Sequence, residues 1–306
     1  MARRSRLWVG VLAALLTLTG CDALPPSADR ADQTGAFPPV APAALRLATL
    51  NVHYLRPSNR DGIASLDGWD LRRAPMAAAF RAINADIFAL QEVGLFPCCA
   101  QNGPNPTLDW LVRQNPAYGV AAHGPGDTFP QIQPILYRRD RVDLLDQGFF
   151  FFSETPDVFA SPGFADGSYP TFASWATFRH GTERLHVVNT HLDVTSWSNR
   201  RVSAAIIMHR IAPWLDAGER VVLIGDMNSF AATRPVRVIE ARGLTLAPVR
   251  GPTFHFFRGL HLYGAIDQIA FSEGITMARA PIVARQRFQG GWPSDHYPVF
   301  MDVTLD

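Results

Sequence analysis

Lysine is missing from this sequence, so all 28 of its basic side chains are arginines. A GC-rich genome is the simplest explanation of that bias. Arginine is nevertheless well suited to phosphate, because its planar guanidinium group donates paired hydrogen bonds to phosphate oxygens.

Cysteine is also scarce, with three residues in a chain of 306. Cys98 and Cys99 are neighbours, and a disulfide between them would be strained, because adjacent Cα atoms lie only about 3.8 Å apart. The sequence therefore excludes a disulfide scaffold. The redox state of the pair is left open, and neither residue is assigned a catalytic role.

A large excess of charge of either sign is absent as well. The first twenty residues hold three of the 28 arginines and none of the 27 acidic residues, so the rest of the chain carries a net charge of about −2. This balance argues against strong sequence-independent binding to nucleic acid. With 47% hydrophobic residues, the chain can bury a large core and is neither disordered nor fibrous.

Residues 1–20 have the features of a bacterial lipoprotein signal peptide. Three arginines precede an apolar stretch from Leu7 to Leu18, which is too short to span a bilayer comfortably. The ending Leu18-Thr19-Gly20-Cys21 resembles a lipobox, so we expect Cys21 to be lipidated and to anchor the protein to a membrane. The expected location is the cell envelope, facing the periplasm or the exterior. An ordinary secretory signal is the alternative, and the membrane and its face are left open.

Residues 21–44 form a predicted spacer, rich in proline and alanine and without a periodic apolar pattern. From 45 to 306, strand and helix patterns are mixed without an internal linker, which predicts one α/β domain with two sheets packed face to face. The predicted strands are 45–52, 87–91, 135–137, 149–152, 175–178, 185–190, 221–224, 266–271 and 299–305. The predicted helices are 71–84, 107–114, 199–215 and 234–242.

Polar residues gather at the ends of these predicted strands, where a catalytic group is held rigidly and stays open to solvent. A single Asp or Asn in such a place usually caps a turn. The complete set of polar residues in this order is hard to explain as turn caps. Its members are Asn51, Gln91-Glu92, the segment 189–193, the segment 225–228, Ser294-Asp295-His296, and Asp267 within a strand.

These residue types suit the hydrolysis of a phosphate ester, which requires neutralisation of charge on the phosphoryl oxygens and an aligned water. Hard oxygen ligands favour Mg²⁺ or Mn²⁺, and Glu92 and Asp295 are the carboxylates expected nearest the metal. His191 and His296 can donate hydrogen bonds to the phosphate. Asp267 is the candidate acidic partner that raises the pKa of His296.

Four segments resemble the endonuclease, exonuclease and phosphatase superfamily, which includes deoxyribonuclease-like enzymes, sphingomyelinases and inositol-phosphate phosphatases. They are Phe152 to Pro156, Asn189 to Asp193 followed by Arg200, Thr253 to His255, and Ser294 to Val299. The resemblance covers 45–306, and the motifs together are highly specific. It implies a four-layer α/β sandwich, in which two mixed β-sheets pack face to face with helices on the outer faces.

The resemblance also implies a metal site and two phosphate contacts. Glu92 would bind the metal, with Asn51 and Asp295 close to it, and the number of metal ions is left open. Asn228 would hold a phosphoryl oxygen, and His191 would contact the phosphate or the leaving group.

The resemblance also implies that two further residues take part in proton transfer. Asp226 would orient or deprotonate the attacking water, and His296 would be polarised by Asp267. The general base is either Asp226 or His296. The sequence departs from apurinic endonucleases at His53, where they carry an Asp, which argues against DNA repair.

The expected function is divalent-metal-dependent hydrolysis of a phosphodiester or phosphomonoester outside the cytoplasm, by a protein expected to be monomeric. Three alternatives are a nuclease acting on DNA or RNA, a phospholipid or sphingomyelin phosphodiesterase, and a catalytically silent binding domain. The complete set of polar residues argues against the silent domain. The segment from Phe254 to His261 is either a pocket wall or part of the core, and the substrate is left open.

Overall fold

The structure is a computed structural model that describes residues 36–56, 58–59, 61–95, 103–164 and 170–306. The predicted signal peptide, Cys21, residues 22–35 of the predicted spacer, Cys98 and Cys99 lie outside these residues. Within the described ranges, no helix combines the length and the apolar character that crossing a membrane requires.

Twelve strands and four helices are mixed along the described part of the chain. The order is β1 (Leu45–Asn51), α1 (Leu66–Ile83), β2 (Ile87–Gln91), α2 (Pro106–Gln114), β3 (Tyr118–Ala121), β4 (Ile135–Arg138), β5 (Asp143–Phe151), β6 (Phe172–His180), β7 (Glu183–His191), α3 (Trp197–Asp216), β8 (Arg220–Asp226), α4 (Arg234–Glu240), β9 (Thr245–Leu246), β10 (Asp267–Phe271), β11 (Ile275–Val283) and β12 (Val299–Leu305).

The strands form two six-stranded mixed sheets. The first has the order β11-β12-β1-β2-β4-β3, and the second has the order β5-β6-β7-β8-β10-β9. In each sheet one central pair is parallel, β1 with β2 and β7 with β8, and the other neighbours are antiparallel.

The two sheets pack face to face through a core to which both contribute, for example Leu47 and Met301 from the first sheet and Val187 and Ile224 from the second. A second core lies between the first sheet and α1 with α2. A third lies between the second sheet and α3 with α4. This confirms the predicted four-layer α/β sandwich.

Helix boundaries follow from local capping. Ser65 accepts a hydrogen bond from the backbone N–H of Gly68, so α1 begins at residue 66 rather than at the predicted residue 71. Ser196 caps α3 in the same way through Asn199. Asn84 ends α1 in a left-handed conformation, which asparagine tolerates better than most residues.

Candidate active site

The ends of four central strands converge at one edge of the sandwich. Asn51 ends β1, Glu92 directly follows β2, His191 ends β7, and Asp226 ends β8. Strand β1 runs parallel to β2, and β7 runs parallel to β8. In each sheet the carboxyl ends of the two strands therefore lie at the same edge. His191 is directly opposite Asp226 in the register of β7 and β8.

The remaining predicted residues reach this edge from antiparallel neighbours. Asp267 begins β10 and lies opposite Asp226 in the register with β8. Asp295 and His296 precede β12, which runs antiparallel to β1 and therefore starts at the same edge. A cleft of about 920 Å³ opens there. Seven of the eight predicted site residues line it, namely Asn51, Glu92, His191, Asp226, Asn228, Asp295 and His296.

The eighth residue, Asp267, lies directly behind His296. Its Oδ2 atom is 2.9 Å from Nδ1 of His296, and both side chains are buried. Burial opposes the charged imidazolium, but the negative charges of Asp267 and Asp226 outweigh it and raise the pKa of His296 to about 10. His296 is therefore a cation at neutral pH in the metal-free protein.

Asp226 is the most enclosed carboxylate that lines the cleft. Burial raises its pKa, and the nearby charge of Asp267 raises it further. Its Oδ2 atom lies 3.5 Å from Nε2 of His191 and 3.8 Å from Nε2 of His296. The backbone N–H of Asn228 donates a 2.9 Å hydrogen bond to its other oxygen. A buried carboxylate with a raised pKa, placed between two histidines, is suited to accept a proton.

Asn51 links two carboxylates through its side-chain nitrogen. That atom donates hydrogen bonds of 2.9 Å to Glu92 and 3.1 Å to Asp226. The side-chain oxygen of Asn51 accepts a hydrogen bond from the backbone N–H of His53. In this arrangement Asn51 holds Glu92 and Asp226 at a fixed separation.

Asp295 lies beside His53, whose Nδ1 is 3.2 Å from Oδ2 of the carboxylate. Burial opposes the charge on Asp295, but the hydrogen bond from His53 and the charge of His296 hold its pKa well below the ordinary value. The Ser294 hydroxyl donates to the backbone carbonyl of Asn51 at 2.6 Å and lies 3.1 Å from Oδ1 of Asp295, which joins the two segments that carry them. Asp295 is therefore a fixed anion.

Arg72 lies buried under these segments. Its guanidinium group donates hydrogen bonds to the backbone carbonyls of Val52, His53 and Pro293. Burial lowers its pKa to about 10, so it remains charged at neutral pH. Arg72 thereby fixes the backbone on both sides of the pair formed by His53 and Asp295.

Three site residues that follow strands have left-handed backbone conformations. The φ angle is 63° at His53, 58° at Glu92 and 44° at Asn228. Such conformations are unfavourable for residues with a Cβ atom and occur mostly where the surrounding structure enforces them. Each one turns the chain sharply at the strand end, so that the side chain faces the cleft.

Gly225 allows the parallel strands β7 and β8 to approach each other next to Asp226. Its φ is +144°, and a Cβ atom there would lie 2.0 Å from the carbonyl oxygen of Thr190. No side chain fits into this gap. The glycine of the Gly225-Asp226-Met227-Asn228 segment is thus a structural requirement of the site.

Other polar residues of the predicted clusters stabilise the surroundings of the cleft. Asn189 and Gln91 are buried, and Gln91 donates a 2.7 Å hydrogen bond to Asn189 that joins the two sheets. Asp193 accepts hydrogen bonds from Thr195, Ser196 and Asn199, which fixes the start of α3.

Several residues that line the cleft were not among the predicted site residues. They include His53, whose position two residues after Asn51 placed it at the same strand end. Tyr54 and Arg56 come from the same loop. Phe230 and Tyr263 form part of the opposite wall, and no sequence pattern marked them.

One group of potential metal ligands is compact in the described part of the chain. Asp226, Asp267 and His296 each offer a ligand atom, and these atoms lie within 4.8 Å of one another. The contact of His296 with Asp267 already uses one ring nitrogen. Glu92, Asp193 and Asp295 also line the cleft, and Asp193 already accepts hydrogen bonds from the start of α3.

Comparisons with known proteins agree with this geometry. The sequence model described as "Endonuclease/Exonuclease/phosphatase family" matches residues 48–296. A search of curated protein sequences returned no significant match.

Several solved structures have the same fold. An endonuclease/exonuclease/phosphatase family protein from Bacteroides thetaiotaomicron superimposes with a TM-score of 0.71 and 24% identity, over 87% of this chain and 99% of that chain. A mannosyl-6-phosphatase from the same species gives 0.70 and 23%, over 85% and 100%. D. rerio TDP2 complexed with a single strand DNA product gives 0.59 and 16%, over 86% and 100%. At these identities the likeness concerns the fold alone.

Proposed function

The chain belongs to the endonuclease/exonuclease/phosphatase family, and from this premise we propose that it is a divalent-metal-dependent phosphoesterase acting outside the cytoplasm. The observation that carries the proposal is the pair formed by Asp267 and His296, placed beside Asp226 at the base of the cleft. A binding module has no need for a buried carboxylate that sustains a charged histidine next to a second buried carboxylate.

The residues of the cleft fit a hard divalent cation. Glu92, Asp226 and Asp295 supply carboxylate oxygens around one opening, and oxygen ligands are those that Mg²⁺ and Mn²⁺ take. Of the predicted ligands, Glu92 and Asp295 would hold the ion, with Asn51 fixing Glu92 through its amide nitrogen. When bound, the ion would neutralise charge on the phosphoryl oxygens.

Side chains of the protein carry out the proton transfers and stabilise the phosphoryl group. Asp226 accepts the proton of the attacking water, because its raised pKa brings it closer to neutral pH. His296 contributes a positive charge and a proton at the phosphoryl group, because Asp267 and Asp226 keep it protonated. This assignment favours Asp226 over His296 as the general base.

His191 and Asn228 complete the arrangement. His191 lies within 3.8 Å of Glu92 and 3.5 Å of Asp226, at the opening of the cleft, where it would contact the phosphate or the leaving group. The side-chain nitrogen of Asn228 donates to the carbonyl of Leu192. That hydrogen bond fixes the orientation of the amide group of Asn228, which lines the cleft.

Hydrolysis of a panel of phosphate esters tests the proposal. Full-length protein is incubated with bis(p-nitrophenyl) phosphate, p-nitrophenyl phosphate, a sugar phosphate, a soluble phospholipid and single-stranded DNA, in Mg²⁺, in Mn²⁺ or in excess chelator. We expect activity on at least one ester that disappears with chelator and with Asp226→Asn. Unchanged activity in chelator, or no activity on any ester, would contradict the proposal.

The location outside the cytoplasm is a separate part of the proposal. It is supported by the signal-peptide pattern and the lipobox-like ending at Cys21. Cys21→Ser is expected to move the protein from the membrane fraction to the soluble fraction of its host without loss of turnover. A variant that still sediments wholly with membranes would rule out anchoring through this cysteine.

A further inference from the structure

A second, apolar cavity of about 560 Å³ adjoins the proposed active site. Both cavities are lined by His53, Phe254 and Asp295, so they share a boundary. The remaining lining of the second cavity is almost entirely hydrophobic. It consists of Ile63, Phe256, Phe257, Leu260 and Leu262, with Arg258.

Exposed hydrophobic side chains are concentrated around these two cavities. Among the described residues, twelve large hydrophobic side chains are exposed. Half of them line one cavity or the other. These six are Ile63, Val194, Phe230, Leu260, Leu262 and Tyr263. Exposed apolar side chains concentrated at a polar cleft are characteristic of a binding site, whereas scattered ones need no explanation.

The aromatic wall of the second cavity is held in an unfavourable backbone conformation. Phe256 and Phe257 are consecutive and both have positive φ, 57° and 55°. Bulky residues rarely adopt that region, and strain of this kind is concentrated at functional sites. The ring of Phe257 meets His53 edge-on at 5.1 Å, and Phe256 contacts Phe254 at 4.3 Å. The wall is therefore anchored directly to active-site residues.

The chemistry of a phosphate ester decides what occupies this cavity. The phosphoryl group must lie near Asp295 and His296, so the organic group bonded to it extends into a neighbouring space. We propose, building on the proposed function, that the apolar cavity binds the organic part of the substrate and that the substrate is a phosphate ester of an apolar, lipid-like alcohol.

The distribution of charge disfavours a nucleic acid in this place. Among the described residues, Arg56 and Arg258 are the arginines that line either cavity. A nucleic acid strand is held by a basic groove with several phosphate contacts along its length. The apolar rim would instead lie against alkyl or acyl groups, which gain free energy by leaving water.

A series of phosphonates with increasing chain length tests the inference without requiring turnover. Binding of ethyl-, butyl-, hexyl- and octylphosphonate to the full-length protein in Mg²⁺ is measured by calorimetry. Each methylene that leaves water is expected to tighten binding by up to about fourfold, until the cavity is full. Octylphosphonate should therefore bind at least about tenfold more tightly than ethylphosphonate.

Matched variants assign this gain to the cavity. Leu260 and Leu262 are 43% and 64% exposed, so the double variant Leu260→Gln/Leu262→Gln should fold normally. It should lose most of the chain-length dependence while ethylphosphonate binds as before. Leu71→Gln is the control, because Leu71 is 76% exposed on α1 and lines neither cavity.

Two outcomes would overturn the inference. One is equal affinity for all four phosphonates, and the other is tighter binding of a sugar phosphate or a short oligonucleotide than of octylphosphonate. Measuring binding as well as hydrolysis also distinguishes failure of this inference from failure of the proposed function. If the panel of esters is not hydrolysed but chain-length dependence remains, the proposed function fails and the apolar site stands.

Discussion

The carboxylate of Asp267 lies 2.9 Å from Nδ1 of His296, and the opposite ring nitrogen of His296 faces Asp226 at 3.8 Å. The histidine is thus placed between two buried carboxylates. Its raised pKa follows from their charges rather than from its own solvation. The two residues act as a unit, because Asp267 holds both the orientation and the protonation state of the ring.

This pairing predicts non-additive effects on turnover. His296→Ala should lower kcat by roughly a hundredfold or more, as expected for removal of an acid or of an electrostatic group. Asp267→Asn should reproduce part of that loss, and the double variant should be scarcely worse than His296→Ala alone.

Activity assays and melting temperatures of the three variants provide the measurement, with His209→Ala on the exposed surface of α3 as control. Strictly multiplicative losses in the double variant would show that the two side chains act independently. A His296→Ala protein with nearly normal kcat would remove His296 from the proposed mechanism.

Gly225→Ala should be far more damaging than an ordinary glycine substitution. The new Cβ atom would meet the carbonyl oxygen of Thr190 at 2.0 Å, so β7 and β8 would have to separate at the site. We expect a loss of stability above about 3 kcal/mol or a failure to fold. Gly181→Ala also has a positive φ but no atom within 4 Å, and should cost only about 1 kcal/mol. Chemical denaturation of both variants measures the difference, and equal losses would contradict the steric explanation.

The sequence predicted the fold class and seven of the residues that line the cleft, because both depend on local patterns. Hydrophobic strands ending in polar residues, such as the strand that ends at Asn51, indicated where side chains would meet. The polar character of a residue did not by itself reveal its role, however. Asn189 and Asp193 occur in the same segment as His191, but one joins the two sheets and the other fixes the start of α3.

Features that depend on tertiary packing were missed. The strands β3, β9 and β11 were not predicted. In β11, exposed positions and Pro281 obscure the alternation typical of a strand. The first six of the nine residues of β5 were missed, because Asp143, Asp146, Gln147 and Gly148 interrupt the apolar pattern of this edge strand. The buried position of Arg72 was also not predictable, since its partners are backbone carbonyls from distant segments.

The buried residue His186, which lies far from the active site, should make the protein less stable in mild acid. It is buried against Trp214 at 4.2 Å, is hydrogen bonded to Thr177 and Glu219, and has Arg184 and Asp146 nearby. Burial lowers its pKa, although Glu219 opposes this effect. Because the unfolded state then binds the proton more readily, the contribution of His186 is present above about pH 6.5 and is lost as the pH falls below it.

Replacement of His186 by Phe isolates this contribution, because the ring can still stack on Trp214. The free energy of unfolding of the wild type should fall more steeply between pH 7 and pH 5 than that of His186→Phe. Denaturant titrations at pH 7, 6 and 5 measure the two slopes. Parallel slopes would show that the histidine does not change its protonation on unfolding in this range.

Binding of the metal ion should be detectable through the stability of the protein, independently of activity. A ligand that binds the folded state alone raises the melting temperature, and at a hundred times its Kd the stabilisation is about 2.7 kcal/mol. Mg²⁺ or Mn²⁺ should therefore raise the melting temperature of the wild type. Glu92→Gln should remove most of this increase, because the neutral amide is a far weaker ligand for a hard cation. Glu154→Gln is the matched control, since Glu154 is exposed and does not line the cleft. If Glu92→Gln responds to the ions as the wild type does, Glu92 is not a metal ligand, and the ion would have to be held by other carboxylates of the cleft, such as Asp226 and Asp295.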